Sequence, residues 1–512
     1  MKYKKIVSLV LSISLLASFT SFEGISSLGV SAEDDVVETT QETTTTDATT
    51  GEDTVPVELV NGQVPTSEDS FEFNEETYTI TKYIGSDMDV VIPRTIHGVP
   101  VRVIGVECFK NNNIVKKITV PNSVSSIDYS LQGWGAFGGS SVEEVVFEDS
   151  SNVTALEDGT FMDCKSLVNI VLPDNLKSIG WKAFSHCRGL INIELPNTVT
   201  SISMYAFENC DNLKSINIPS SVNSIGKDVF NGCTSLLTID FSEGITSIGK
   251  EAFNGCISLT EVSLPDTVVS LGTNAFYGCS NMATLKLSSN LNTIPQDCFY
   301  GCKALTSVEI PASVKSIGIG AFRGCTSLRD ITFNEGLVSI CKYAFAEDGS
   351  IGDLVIPSTT TSIGNSAFKD CKNISTLKTT GKVSLGDSAF LGCSSLVKAE
   401  LSAETTVGEK ALGHNAILFD IAVLIKDKGT IFTIYGYTGS PANKYAIDNK
   451  IPFVDVETDN FDENTVSKED TTKPGDSTST DVIKGDVNGD GKVTTADLLA
   501  IKKHLLGLID TL

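Results

Sequence analysis

The sequence predicts a repeat solenoid, in which short parallel strands and short helical turns recur with a 23-residue period. Phenylalanine anchors follow one another at that spacing from Phe161 to Phe368, and Phe390 and Leu412 continue the column at a spacing of 22. The surrounding residues repeat as well. CRGLINIELPNTVTSISMYAF, which begins at Cys187, has the same pattern as CTSLLTIDFSEGITSIGKEAF, which begins at Cys233. A period held this long is typical of stacked supersecondary units.

Each repeat divides into two inward-facing segments and a turn. The L-x-x-I-x-L segment from Leu190 to Leu195 predicts a short strand that ends at Pro196. Val199 and Ile202 form a second inward pair, and the Ala-Phe pair then begins a short helical turn. A glycine often follows the second pair, where it can make a turn without steric cost. These glycines are Gly180, Gly226, Gly249, Gly272, Gly318 and Gly364.

The thirteen cysteines follow the same register. Ten of them stand three residues after an anchor, which predicts a ladder up the inside of the stack. Neighbouring rungs lie about 5 Å apart, but parallel side chains in one register rarely reach the disulfide dihedral. We therefore expect buried free thiols that act as small apolar fillers. A disulfide framework and a metal site at Cys298 and Cys302 are the alternatives.

Composition restricts the class of partner. Asp and Glu number 64 against 38 Lys and Arg, so the formal net charge is −26. This excess repels phosphate backbones and anionic lipid, which excludes nucleic acid as a partner. The same acidity leaves calcium as a plausible ligand.

The first residues predict export. Three lysines precede an apolar run from Ile6 to Leu16, and Val30-Ser31-Ala32 has the small residues of a cleavage site. The apolar run is too short to span a bilayer, and no later stretch is apolar enough for a membrane helix. We expect a secreted, extracellular protein that is cell-surface or cellulosome associated and does not insert into the membrane.

Changes in composition predict seven segments. They are a signal peptide (1–32), a Thr-rich acidic disordered spacer (33–70), an N-terminal cap of the solenoid (71–108), the repeats (109–425), a C-terminal cap (426–456), a flexible linker (457–483) and a calcium-binding segment (484–512).

The most specific chemical motif lies near the end of the chain, in GDVNGDGKVTTADLLAIKKHLL from Gly485 to Leu506. Hard oxygen donors at alternate positions around an obligatory glycine are typical of a twelve-residue calcium loop. Lys492 would contribute its backbone carbonyl, and Thr494 a hydroxyl or a bridging water. An acidic turn without metal is the alternative. The expected Ca²⁺ ligands are Asp486, Asn488, Asp490, Lys492, Thr494 and Asp497.

The repeat closely resembles the BspA-like leucine-rich repeat family of bacterial surface proteins. The resemblance rests on C-x-x-L-x-x-I-x-L-P, on I-G-x-x-A-F and on the cap YGYTGSPANKYA, and it covers roughly Phe71 to Val456. It implies a right-handed leucine-rich repeat stack. Family members look like secreted or surface adhesion and interaction proteins.

The calcium loop resembles a type I dockerin, the module that attaches cellulosomal components to cohesins on a scaffoldin. Aspartate at loop position twelve, Asp497, fits dockerins. The resemblance implies a cohesin domain as partner, with Thr495 and Ala496 facing it. A dockerin has two such segments and one is present here, so this is apparently half a module. Truncation, pairing with another chain and degeneration are the open explanations.

Polar residues at the outward strand positions form the candidate ligand face, for a protein or polysaccharide ligand. The alternative is that these residues are merely solvated. The predicted function is a non-catalytic binding or adhesion protein; the alternatives are a cellulosome-associated carbohydrate-active enzyme or peptidase accessory, and a passive structural spacer. The four histidines are dispersed and have no metal-ligand spacing. The candidate face comprises Asn192, Glu194, Asn217, Asp240, Glu261, Glu309 and Asp330.

Overall fold

The computed structural model describes residues 58–130, 133–418, 421–424, 426–427, 430–457 and 461–462. The described chain is a parallel β-solenoid of about 16 turns with a period of about 23 residues, which confirms the predicted fold class. The predicted signal peptide and the calcium loop lie outside the described residues, as does the predicted linker apart from Glu457 and Phe461–Asp462.

One side of the solenoid, here called the strand face, carries the longer strand of nearly every repeat, and the repeat that contains Asn192 has only an isolated bridge there. Equivalent residues of neighbouring repeats pair in parallel, as Ser215 does with Thr238 and Glu309 with Thr332. These strands are Asp89–Val91, Lys117–Val120, Glu144–Phe147, Asn169–Val171, Ser215–Ile218, Thr238–Phe241, Glu261–Ser263, Thr284–Lys286, Ser307–Ile310, Asp330–Phe333, Leu354–Ile356, Thr376–Thr379 and Lys398–Glu400.

A second parallel ladder of two-residue strands follows the first in each repeat. Its apolar member points inward, and a serine or threonine precedes it in most repeats. The strands are Val103–Ile104, Ser126–Ile127, Ala155–Leu156, Ser178–Ile179, Ser201–Ile202, Ser224–Ile225, Ser247–Ile248, Ser270–Leu271, Thr293–Ile294, Ser316–Ile317, Ser339–Ile340, Ser362–Ile363, Ser384–Leu385 and Thr406–Val407.

The phenylalanine column forms a continuous stack along the core. Rings from Phe109 to Phe390 lie parallel, with neighbouring centroids 4.9–5.5 Å apart. Tyr83 closes the stack at its N-terminal end, 5.4 Å from Phe109. At the other end Tyr445 Oη donates to the Leu412 carbonyl at 2.9 Å. Because each ring is fully covered by the next, one repeat cannot bury its own core, and stability requires the stack.

The side opposite the strand face, here called the turn face, differs in detail from the prediction. The expected helical turn is a pair of tight turns, in which the residues two before and two after most anchors have left-handed backbone, as at Tyr205 (φ 61°) and Asn209 (φ 54°). The repeat glycine that precedes them serves close packing instead. A Cβ on Gly272 would lie 2.2 Å from the Lys250 nitrogen of the previous repeat.

All thirteen cysteines are free thiols, as expected from the sequence. In the ten that follow an anchor by three residues, Sγ donates a hydrogen bond to the anchor carbonyl of the preceding repeat at 3.0–3.5 Å. The thiol is therefore more than a filler, because it joins successive turns.

The N-terminal cap combines an antiparallel pair with a short segment that precedes it. Strands Phe71–Asn74 and Thr79–Tyr83 pair with each other, and Thr95–Ile96 pairs with Val99–Pro100. Residues 58–66, here called the N-terminal strap, were assigned to the disordered spacer by the sequence analysis. They lie instead against the first repeats and lead into a 3₁₀ turn at Glu68–Ser70.

The C-terminal cap contains the α-helix Pro441–Asp448. Ser440 caps its N-terminus by accepting the Asn443 amide, and Pro441 begins the helix. Strands Thr433–Gly436 and Phe453–Asp455 extend the strand ladder. Within the described residues, no helix is long and apolar enough to cross a membrane. The remaining strands of this region are His414–Leu418, Ile421–Leu424, Lys426–Asp427, Thr430–Ile431 and Phe461–Asp462.

Candidate functional site

The strand face presents the polar residues that the sequence analysis singled out. Along each strand alternate side chains point into the core and outward, because successive residues of a strand face opposite sides. All seven predicted positions are exposed on this face: Asn192, Glu194, Asn217, Asp240, Glu261, Glu309 and Asp330. The structure thus brings them onto one surface, and their role in ligand binding stays a prediction.

Charge on this face is distributed unevenly. Near the N-terminal end Lys117 pairs with Glu144 at 3.2 Å, and near the C-terminal end Lys378 pairs with Glu400 at 3.3 Å. The hydrogen bond from Lys398 lowers the pKa of the Glu400 carboxyl. Between these ends, the described ion pairs include none of the five predicted acidic residues Glu194, Asp240, Glu261, Glu309 and Asp330. The central strand face is therefore acidic on balance, with Lys286 as an exposed cation within it, and this charge favours cationic or hydroxyl-bearing partners.

Two clefts lie on this face, at two of the places where the strand ladder is broken. The first, of about 370 Å³, lies between the strand Asn169–Val171 and residues 192–196. The second, of about 320 Å³, lies between Thr284–Lys286 and Ser307–Ile310. Both are near the lower end of the roughly 300–1,000 Å³ typical of small-ligand pockets. Sequence reasoning missed them, because the repeat pattern continues through both breaks without a change.

Several aromatic side chains lie on the turn face, where lysine and arginine side chains of the same chain lie over their rings. Lys182 Nζ lies 4.7 Å from the Trp181 ring and 5.4 Å from the Tyr205 ring. Arg323 lies between Tyr300 and Tyr343, at 5.9 and 5.3 Å. These contacts are cation–π interactions that stabilise neighbouring turns. The same ring faces are therefore not free to stack on a sugar.

One cluster on the turn face combines the residue types of a hydrolytic triad. Ser185 Oγ lies 2.9 Å from His186 Nδ1 and donates to Glu208 Oε2 at 3.0 Å. Catalysis by such a triad requires the imidazole to lie between the hydroxyl and the carboxylate. Here the hydroxyl lies between the other two groups, and Ser185 is fully buried. The arrangement is a structural hydrogen-bond network.

The sequence analysis also overlooked a buried carboxyl group. Asp348 replaces the cysteine that most repeats place three residues after the anchor, in this case Phe345. Its residue is 0 % exposed, and neither carboxyl oxygen has a hydrogen-bond partner. Burial raises the pKa of the Asp348 carboxyl well above its ordinary value, and the nearby Cys325 thiol adds to the shift. The sequence does contain a signal, because Asp348 is the single acidic residue among the positions that lie three residues after an anchor.

The predicted calcium ligands Asp486, Asn488, Asp490, Lys492, Thr494 and Asp497 lie outside the described residues, as do Thr495 and Ala496. Within the described ranges, no group of three or more His, Cys, Asp or Glu side chains could hold a metal ion. The weak alternative of a metal at Cys298 and Cys302 therefore has no third ligand of these types.

Comparison with protein families identifies both parts of the chain. The model described as BspA type leucine rich repeat region matches residues 89–214, 132–256, 200–318 and 292–417, which together span more than half of the chain. The model described as Dockerin type I domain matches residues 484–511. A comparison with curated proteins found no match.

The solved structure of a bacterial leucine-rich repeat protein shows the same architecture. A leucine-rich repeat protein from Bacteroides ovatus is 25% identical, with a TM-score of 0.50 over 65% of this chain and 93% of that one. A leucine rich cell surface protein from Faecalibacterium prausnitzii is 25% identical over 73% of this chain and 94% of that one, with a TM-score of 0.38.

Proposed function

Because this chain belongs to the BspA type leucine-rich repeat family, we propose that it is a secreted, non-catalytic adhesion protein with two attachment points. The solenoid recognises a protein or glycan ligand through its strand face. The dockerin segment attaches the molecule to a cohesin-bearing scaffold in a calcium-dependent manner. The observation that carries the proposal is the combination of the repeat model with a dockerin model at residues 484–511.

Support for recognition by the strand face comes from its exposure and charge. The core-forming residues are the same in nearly every repeat, whereas the outward strand positions vary from one repeat to the next. A surface whose shape is set by the stack and whose side chains vary can be specific without affecting the fold. The acids at its centre that make no described ion pair, such as Asp240 and Glu261, supply the charge on which selectivity for a partner depends.

Support for calcium-dependent attachment comes from the donors of the dockerin segment. Asp486, Asn488, Asp490 and Asp497 offer hard oxygen donors, which calcium prefers, and Gly491 occupies the turn position of such loops. The residues therefore fit the metal, and bound calcium would order the loop. Thr495 and Ala496 would then be presented to the cohesin.

Support for a non-catalytic role comes from the fold and from the polar clusters. The family and its structural neighbours are leucine-rich repeat proteins, and no catalytic domain is indicated. The one Ser–His–Glu cluster described above has the wrong order and is buried. Hydrolysis of cellulose or xylan by the isolated protein would overturn this part of the proposal.

The attachment is tested with the full chain on an immobilised type I cohesin, in calcium and in chelator. We expect retention in calcium only, and loss of retention in the double variant Asp486→Ala and Asp490→Ala. The solenoid variant Glu261→Gln is the matched control and should be retained like the wild type. Equal retention in calcium and chelator, or no retention in either, would contradict the proposal.

A further inference from the structure

The turn that follows Phe345 buries a carboxyl group at a position where the neighbouring repeats have a thiol. Between Cys164 and Cys393, Asp348 is the one residue at this position that is not cysteine. It is 0% exposed, and neither of its carboxyl oxygens has a hydrogen-bond partner. A carboxyl group in such a place either keeps its proton or is a buried charge without compensation.

The substitution interrupts the ladder of thiol hydrogen bonds. In the turns before and after it, the Sγ atoms of Cys325 and Cys371 donate to the anchor carbonyls of their preceding repeats, at 3.2 and 3.0 Å. The equivalent bond from Asp348 would go to the Phe322 carbonyl, and the side chain of Asp348 does not make it. This turn therefore lacks a link to its predecessor that the turns on both sides have.

The preceding turn does not compensate a negative charge on Asp348. Its Cys325 thiol disfavours the carboxylate form and raises the pKa of Asp348 further. The guanidinium of Arg323 is paired with Glu347 at 2.6 Å instead. The amides of Gly324 and Cys325 both donate to backbone carbonyls. No group of this turn therefore stabilises the ionised carboxyl.

The same turn and the following turn add negative charge. Glu347 is adjacent in the chain and also raises the pKa of Asp348. In the following turn the Cys371 thiol lies near Asp348, and Asp370 pairs with Lys369 at 3.8 Å. Burial is the largest cause of the raised pKa of Asp348. The ionised form is therefore stabilised only where the carboxyl can reach water.

Residues 346–352, here called the Asp348 turn, are held by a small set of contacts. Ile351 is the one large apolar side chain that this segment buries. Gly349 and Gly352 have no side chains to pack, and the strands Asp330–Phe333 and Leu354–Ile356 on either side of the turn do not pair with each other. The bonds to neighbouring turns run from the Gly324 amide to the Ala346 carbonyl at 3.0 Å, from the Glu347 amide to the Lys369 carbonyl at 2.8 Å, from Ser350 Oγ to the Thr326 carbonyl at 2.8 Å and from the Gly352 amide to the Arg329 carbonyl at 3.1 Å.

We propose that the Asp348 turn opens locally from the solenoid when Asp348 loses its proton and closes when the proton returns, while the turns on both sides stay folded. Opening exposes Ile351, and hydration of the carboxylate offsets that cost. Segments with few buried contacts are the ones that open independently of the rest. The opening reaches the strand face, because Gly352 bonds to the Arg329 carbonyl beside Asp330. The device goes beyond the proposed function and does not depend on it.

The direction of the pH response follows from the state that holds the proton. In the closed turn the pKa of Asp348 is raised, and in the open turn the carboxyl has the ordinary value of about 4. Opening therefore releases a proton between these two values, and the opening constant rises about tenfold per pH unit in that interval. Acid closes the turn, and neutral pH opens it.

Hydrogen–deuterium exchange of the full chain at pH 5 and pH 8, corrected for the intrinsic exchange rate at each pH, measures the opening. We expect the protection of residues 346–352 to fall about tenfold or more between these pH values. Residues 254–260, the equivalent segment of the Cys256 repeat, are the internal control and should change much less. Asp348→Asn, which cannot ionise, and Asp348→Cys, which restores the repeat residue, should both remove the pH dependence.

Alkylation gives a second measurement in the same protein. The reactivity of Cys371 relative to Cys256 cancels the common effect of pH on thiols, and it should rise from pH 5 to pH 8 in the wild type only. Equal protection of residues 346–352 at both pH values would overturn the inference. So would a pH response that survives in either Asp348 variant, or exchange of residues 346–352 that always matches that of 254–260. None of these results would affect the recognition proposed for the strand face.

Discussion

The Sγ atom of Cys279 lies 3.3 Å from the carbonyl oxygen of Phe253, which is 26 residues earlier in the chain. The thiol donates this hydrogen bond from one turn of the solenoid to the turn before it. Burial raises the pKa of the Cys279 thiol to about 12. At neutral pH the thiol therefore keeps its proton and the bond that the proton makes.

This protection predicts selective thiol chemistry. Iodoacetamide reacts with thiolates. At pH 8 in the native protein, Cys341, which is half-buried and lies off the ladder, should be alkylated well before the ten ladder cysteines. Mass spectrometry of tryptic peptides checks the order. All thirteen should react after unfolding in guanidinium without reductant. Fewer than thirteen labelled cysteines under those conditions would reveal disulfides and contradict the ladder.

The buried carboxyl of Asp348 predicts an unusual pH dependence of stability. Burial raises its pKa in the folded protein, so the folded state holds a proton that the unfolded state releases above about pH 4. This carboxyl therefore lowers the free energy of unfolding as the pH rises above that value. We expect Asp348→Cys, which restores the repeat residue, to raise the melting temperature at pH 7 and to leave it almost unchanged at pH 4.

The control for Asp348 is Asp353→Asn, because hydrogen bonds from Ser375 and Thr376 lower the pKa of the exposed Asp353 carboxyl. That carboxyl stabilises the fold above the unfolded pKa, so its removal should act in the opposite direction at pH 7. Equal melting shifts for Asp348→Cys at pH 4 and pH 7 would show that packing, not ionisation, accounts for the effect.

The close approach of successive turns predicts a sharp difference between two glycines. Gly272→Ala would place a Cβ 2.2 Å from the Lys250 nitrogen, so backbone must shift, and we expect a loss of about 1–3 kcal/mol in the free energy of unfolding. Gly349→Ala is the matched control, since a Cβ there meets nothing within 4 Å. Urea denaturation measures both, and similar midpoints for the two variants would refute the close-packing explanation.

The strap predicts a local opening that leaves the solenoid intact. Burial alone would raise the pKa of Glu148, but amide hydrogen bonds from Asn122 and Asn61 and the charge of Arg94 outweigh it and lower the pKa. Arg94→Ala removes the ion pair with Glu148 and the hydrogen bond to the Leu59 carbonyl, so amide exchange at residues 58–66 should speed up at neutral pH. Arg188→Ala, which removes an exposed turn-face pair with Asp211, should leave that exchange unchanged.

The features of the fold that repeat every 23 residues could be predicted from the sequence, and those that occur once could not. The phenylalanine column predicts the stack and its register, because one misplaced rung would expose a ring such as Phe253. The role of Gly272 could not be predicted, since glycine permits both a left-handed turn and a close approach, and only the structure distinguishes them. The strap was missed because Val60 is the one buried residue of residues 58–66, in which the other large apolar side chains, Leu59 and Val64, are exposed.

The candidate face was predictable in outline only. Strand alternation places Glu194 and Asp240 outward, and they are exposed. The strand ladder is broken beside Val171. The repeats on both sides of this break keep the usual sequence pattern, so the sequence does not signal it. The unpaired carboxyl of Asp348 could have been found by comparing, repeat by repeat, the residue three positions after each anchor, where most repeats have cysteine.

The most direct test of the central claim is a capture experiment. Charge-matched variants of the full chain are immobilised and exposed to secreted proteins and cell-wall material. The double variant Glu194→Lys and Asp240→Lys alters the strand face, and Glu208→Lys with Glu251→Lys makes the same charge change on the turn face. We predict that the strand-face variant loses the captured ligand while the turn-face variant keeps it. Loss by the turn-face variant alone, or equal capture by both, would contradict recognition through the strand face.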